Sequence, residues 1–167
     1  MIFVRSSLPF STFLCSAFLF LVVLCSCQPQ QRLAEPEPLE PLIQWRSLAD
    51  GKTEAAQRNM PVLVDFFIGP VCMRCVAVQK DIYNDRELAS RIEREFIPVR
   101  IWLSSELSAE EEALSQELNN DGECILAFLD AHGNVLKNSQ GEDISSMKML
   151  PADEYIRYMD EALKNLH

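Results

Sequence analysis

Positive charge is in short supply in this chain. Its 167 residues carry 15 Lys and Arg against 25 Asp and Glu, a formal net charge of -10. A nucleic-acid partner is not expected, because neutralising phosphates needs a clustered excess of Lys and Arg. Histidine is scarcer still, with only His132 and His167. A closed zinc site commonly draws on two Cys-x-x-Cys halves, or on one half plus paired histidines. The chain has one half, so no resident metal is expected. Also missing is an apolar run long enough to span a bilayer comfortably, since the stretch from Phe13 to Leu24 falls short of the roughly 20 residues a spanning helix needs. What is present is 48% hydrophobic residues, enough for one domain around a single core once the N-terminal leader is set aside. Charge runs such as Glu110-Glu111-Glu112 read as a solvated helix face.

The leader has a single Arg5 ahead of its apolar stretch, the layout of an export signal. Its end, Leu24-Cys25-Ser26-Cys27, resembles the bacterial lipoprotein box. That resemblance implies that Cys27 becomes the lipidated first residue. The expectation is a lipid-anchored protein of the cell envelope, on the periplasmic side of a bacterial membrane; an uncleaved signal anchor is the alternative. Next, Pro29, Pro36, Pro38 and Pro41 stand among Gln and Glu, a composition that favours an extended tether. The chain thus divides into a signal with its attachment cysteine (1–27), a tether (28–42) and a folded domain (43–167).

Six cysteines occur; Cys15 and Cys25 fall in the signal and Cys27 is the proposed lipid site. Cys72, Cys75 and Cys124 remain. In an oxidising compartment a useful thiol pair is either a disulfide or part of the machinery that handles disulfides. A purely structural Cys72–Cys75 bond is a weak reading, because so small a loop constrains the unfolded chain little. The surrounding stretch, VLVDFFIGPVCMRC, points to chemistry. Val62 to Phe67 is an apolar run of strand formers suited to burial on both faces. Gly69 and Pro70 break it, and nothing breaks the run from Cys72 to Lys80. Cys72 is therefore expected at a helix N-terminus with Cys75 one turn further in. Backbone N–H groups and the helix dipole stabilise a thiolate there, and Arg74 is expected to add positive charge.

Further on, Asp85 to Glu95 reads as a helix, Phe96 to Leu103 as a strand, and Ser108 with Glu111 as a capping box opening a helix to Leu118. Cys124 to Leu129 reads as a third strand, turning at Asp130–Asn134 into a hairpin strand at Val135–Lys137. Asp153 to Leu166 reads as an amphipathic helix with Tyr155, Ile156, Met159 and Leu163 inward. Trp45 to Asn59 reads as a leading helix.

This order, with Cys-x-x-Cys at the first strand-to-helix junction, resembles the thioredoxin superfamily. It is most similar to exported thioredoxin-like domains such as the C-terminal domain of transmembrane thiol-disulfide interchange proteins, where a Trp-led helix precedes a PVLVDF strand. The likeness covers Ile43 to Leu166. It implies an α/β three-layer sandwich with a mixed central sheet and helices on both faces. It further implies that Cys72 attacks disulfides of envelope proteins and that Cys75 resolves the mixed disulfide. No cofactor is implied beyond the redox-active Cys72–Cys75 pair. Asp65 resembles the family's buried proton-moving carboxylate, although one extra residue separates it from the motif. Val71 stands where thioredoxins usually carry Trp. Cys124, after Glu123, stands where the family carries a cis-proline against the partner groove. A non-proline cis bond costs about 2.5 to 4 kcal/mol, so a trans peptide is expected, with the thiol aimed at Cys72; the alternative is an inert buried Cys. Arg74 and Met73 are expected to tune the redox balance of the pair; Met73 is also expected to pack, with a thioether ligand as its other use. Two rival functions remain. One is a soft-metal carrier or sensor, for Cu(I) or Zn, built from Cys72, Cys75 and Cys124. The other is a binding module without redox activity.

Overall fold

Val62–Phe67 forms strand β1, and all six of its residues are buried. Its neighbours are β2 (Ile97–Trp102), β3 (Leu126–Leu129) and β4 (Ser145–Ser146), in the sheet order β2-β1-β3-β4. β1 runs parallel to β2 and antiparallel to β3. A strand flanked on both sides and covered on both faces has no wet surface, so its sequence is almost wholly apolar. The computed structural model describes residues 41–166. The expected signal with Cys27, and the tether up to residue 40, lie outside the described residues.

Helices α1 (Leu48–Arg58) and α4 (Ala109–Glu117) cover one face of the sheet. α2 (Met73–Val78), α3 (Arg86–Glu95) and α5 (Ala152–Lys164) cover the other. The first face packs Val64, Phe66, Val99 and Ile101 against Leu48, Ala55 and Leu114. The second packs Leu63, Leu126 and Phe128 against Val78, Ile92, Tyr155 and Met159. The period-2 alternation of each strand sends its residues to these two cores in turn. α1 lies so close to β2 that a Cβ on Gly51 would stand 2.2 Å from Val99 Cγ2. Only glycine allows that approach.

Caps fix the helix starts. Asp85 accepts the N–H groups of Glu87 and Leu88, and Ser108 and Glu111 form the expected capping box. The expected helix from Trp45 begins later, at Leu48. The backbone of Arg46 pairs instead with β2, through Arg46 N–H to Pro98 O and Arg100 N–H to Arg46 O, so Trp45 lies on extended chain. The unbroken run from Cys72 continues past Lys80, because a π-helical turn, Gln79–Tyr83, carries the helix on.

The expected hairpin strand at Val135–Lys137 is absent. That segment makes only single bridges, Leu129 with Val135 and Lys137 with Asp143, and the fourth strand is Ser145–Ser146. Two side-chain turns cause this. Asp130 accepts N–H groups from His132 and Asn134, and Asn138 accepts them from Gln140 and Glu142, bending the chain twice before a ladder can extend. β3 likewise begins at Leu126, leaving Cys124 and Ile125 just ahead of it. On α5, Tyr155, Met159 and Ala162 are buried while Ile156 and Leu163 are only half-buried.

Candidate active site

β1 ends at a turn in which Gly69 takes φ 115°, a conformation open to glycine. The chain then enters α2 with Cys72 as its N-cap, and Cys72 Sγ accepts the Cys75 N–H at 3.2 Å. Side-chain oxygens of Ser, Thr and Asp usually fill this place; here a sulfur does. Cys72 is partly exposed and Cys75 is sealed at 0%.

Cys124 reaches the pair from the loop before β3. Asn120 Oδ1 accepts the Glu123 N–H at 2.7 Å, and Phe66 N–H donates to Ile125 O at 2.9 Å, which together hold the segment against β1. Glu123 itself is exposed. Cys124 Sγ lies 3.0 Å from Cys72 Sγ and 2.7 Å from Cys75 Sγ, with Phe67 and Ile68 packed around the group. No cis peptide occurs among the described residues, so Cys124 presents its thiol on a trans backbone.

The sulfurs are electrostatically unequal. Partial burial alone would push the Cys72 thiol up. Hydrogen bonds from the Cys124 and Cys75 thiols, and from the backbone N–H groups of Cys75 and Arg74, outweigh it and hold Cys72 below its ordinary value. Burial pushes Cys124 far up, and its two sulfur neighbours push the same way.

The Arg74 charge is paired with Asp65. The guanidinium is buried, with Nε donating to Lys148 O at 3.2 Å and Nη1 3.8 Å from Asp65 Oδ1. A charge taken out of water is drawn to a countercharge, and the nearest one lies inward. Asp65 is 0% exposed. Its Oδ2 accepts from Arg100 Nε at 3.2 Å and from Nη2 at 3.0 Å, because the parallel register sets Asp65 directly beside Arg100. Burial raises the Asp65 carboxyl, with Arg100 and Arg74 pulling it back. Arg100 also lies over the rings of Trp45 and Phe67, 4.0 Å from each centroid, and donates to Gln79 Oε1 at 3.2 Å. Deeper, the Tyr83 and Tyr155 hydroxyls meet at 3.1 Å.

Met73, expected to pack, stands 79% exposed, and Val71 beside it 84%. The start of α2 points their side chains outward, forming an apolar rim at Cys72. Met149 is also exposed, one residue beyond the carbonyl that Arg74 grips. Arg100 was not singled out in the sequence, yet a signal exists. Asp65 and Arg100 are each the single charged residue of an apolar strand, and two such charges call for each other.

A family model described as thioredoxin-like matches residues 44–131. Among solved structures, a protein named DsbH oxidoreductase superimposes with a TM-score of 0.55 at 20% identity, covering 80% of this chain and 94% of its own. A thioredoxin from Thermus thermophilus gives 0.53 at 16% identity, covering 71% and 85%. The oxidised C-terminal domain of DsbD from Neisseria meningitidis gives 0.48 at 17% identity, covering 73% and 98%. At these identities the first two likenesses establish the fold.

Proposed function

From the premise that this chain belongs to the thioredoxin-like family, we propose that it is a thiol-disulfide oxidoreductase acting on other proteins through Cys72 and Cys75. The Cys72 thiolate attacks one sulfur of a partner disulfide. That bond breaks, a mixed disulfide forms on Cys72, and the partner's other sulfur leaves as a thiolate that takes a proton. Cys75 then attacks Cys72 Sγ and expels the second partner thiol, leaving a Cys72–Cys75 disulfide. Two electrons pass from the chain to the partner, and the dithiol is the only redox group the reaction needs.

One observation carries this reading: of the motif sulfurs, the reachable one accepts a backbone N–H at a helix start and ionises more easily than an ordinary thiol, while its mate is sealed beneath it. Stabilising the Cys72 thiolate also stabilises the reduced form, which makes the chain a weaker reductant than a thioredoxin with an ordinary thiol. The apolar rim of Val71 and Met73 suits an exposed or unfolded stretch of polypeptide. Asp65, whose hydrogen bonds go to Arg100 and whose other oxygen faces Arg74, holds the core beneath the site and takes no part in the sulfur chemistry. The leader supports export, and lipidation at Cys27 would put the domain at the envelope membrane among secreted thiols and disulfides.

The soft-metal reading is less favoured by the geometry. Zn–S bonds of about 2.3 Å at tetrahedral angles hold sulfurs about 3.8 Å apart, and contacts of 2.7 and 3.0 Å would have to open. Reduction of insulin disulfides by the full chain, with Cys72→Ser as control, tests the assignment. Turnover that depends on Cys72 is expected, whereas tight Cu(I) binding without turnover would replace the enzyme with a carrier.

A further inference from the structure

The oxidoreductase reading uses two sulfurs, yet three are in contact. Cys124 Sγ touches both motif sulfurs, at distances less than about 1 Å longer than an S–S bond of about 2.05 Å. Its backbone is tied to β1 and to Asn120, so the approach is built into the fold. Resting on that reading, we propose that Cys124 is a third redox thiol that takes the disulfide away from Cys72, so that the oxidised protein holds a Cys75–Cys124 bond and presents Cys72 as a free thiolate.

The step balances without an added oxidant. Once Cys72–Cys75 has formed, the Cys124 thiol gives up its proton and its sulfur attacks Cys75 Sγ. The Cys75–Cys124 bond forms, the Cys72–Cys75 bond breaks, and Cys72 leaves with the electron pair as a thiolate. The proton passes to solvent. The number of disulfides is unchanged, and so is the oxidation level of the chain.

Two features set the direction. Thiol-disulfide exchange favours expelling the sulfur that bears charge best, and Cys72 Sγ, at the helix start, keeps the Cys75 backbone N–H as a donor after the other two sulfurs have joined. Cys124 carries charge worst, being buried among apolar groups, and is best kept inside a bond. Burial matters too. Cys75 and Cys124 are 0% and 5% exposed, so their disulfide is shielded from external thiols. An oxidised chain of this kind still carries a nucleophile at its surface and can capture a further disulfide, which an ordinary oxidised dithiol cannot do.

The test maps the disulfide of the full chain. Protein in detergent is oxidised with one equivalent of oxidised glutathione per chain, enough to form a single disulfide, then quenched in acid, alkylated and digested for mass spectrometry. A Cys75–Cys124 crosslink with alkylated Cys72 is expected. In Cys124→Ser the crosslink should move to Cys72–Cys75, and alkylation of Cys72 in the oxidised, folded variant should fall at least about tenfold below that in the oxidised wild type. Circular dichroism of that variant checks that the near-isosteric change leaves the fold intact, and Cys124→Ala is a second route to the same readout. A Cys72–Cys75 crosslink with free Cys124 in the wild type, while insulin is still reduced, overturns the relay alone. Loss of insulin reduction together with the absence of any mixed disulfide on Cys72 overturns the oxidoreductase reading and the relay with it.

Discussion

Two clusters of ionisable groups sit along β1, one in the middle of the strand and one just past its end. In the middle, Asp65 is sealed between Arg100 and Arg74, and Arg100 lies over the rings of Trp45 and Phe67. Past the end, Cys72, Cys75 and Cys124 crowd together with one sulfur left partly open. Only the first is built from side chains that a core tends to exclude, because cysteine packs as a small hydrophobe. The two clusters also differ in how charge is held. The ionic cluster carries opposite charges in place, and its removal from solvent leaves it nothing to react with. The sulfur cluster is mostly neutral, and it concentrates the ability to become charged in the sulfur nearest to solvent. A buried polar group with a fixed partner holds structure, whereas one with an adjustable charge and an opening does chemistry.

The largest test of that division is Cys72→Ser. It should lower insulin-disulfide reduction by at least about a thousandfold while changing the stability read from urea unfolding by no more than about 0.5 kcal/mol. Next comes Asp65→Ala. Stranding Arg100 and Arg74 in the core should cost about 3 to 5 kcal/mol in equilibrium unfolding, with the alkylation rate of Cys72 in the folded protein changed less than about threefold. Should stability hold and turnover vanish instead, Asp65 would belong to the sulfur cluster as a proton carrier, and the division would be drawn in the wrong place.

A smaller effect is expected from Trp45→Ala, which removes one of the rings over Arg100. A largely desolvated cation–π contact is worth about 2 kcal/mol, and the half-burial of Trp45 makes that an upper figure, readable from thermal melts. The smallest signal is in pH. Cys72 ionises below the ordinary thiol value, so its alkylation rate should reach half-maximum at a pH below about 8.5. Linkage gives the matching sign for stability. A depressed folded value adds stability to the reduced chain above the unfolded thiol value near about 8.5 and loses it as pH falls through the folded one. The stability difference between reduced wild type and Cys72→Ser should therefore grow as pH rises through that window. A flat difference would remove the electrostatic distinction between the sulfurs.

Much of this site could be read along the chain. The apolar run of β1, the Gly-Pro break and the unbroken helical stretch after Cys72 place the motif at a helix start. Asp85 and Ser108 likewise announce α3 and α4. Other parts were not readable. Arg74 beside Cys72 in sequence suggests a charge supporting the thiolate, but the helix turns its guanidinium inward to Asp65 and the Lys148 carbonyl. Val135–Lys137 has the composition of a strand, but the side-chain turns at Asp130 and Asn138 allow it only single bridges. Trp45 reads as the first residue of a helix, but the edge of β2 claims the backbone beside it.

Sequence alone determined where the reactive cysteine sits on its helix and how far its mate lies behind it, because turn, cap and helix preferences act over a few residues. The pairing of Asp65 with Arg100, 35 positions apart, and the meeting of Cys124 with Cys72 and Cys75, 52 and 49 positions apart, were decided by the tertiary structure. Those distances are set by strand register and by the way the loop before β3 is tied to β1, and neither is written in any local stretch of residues.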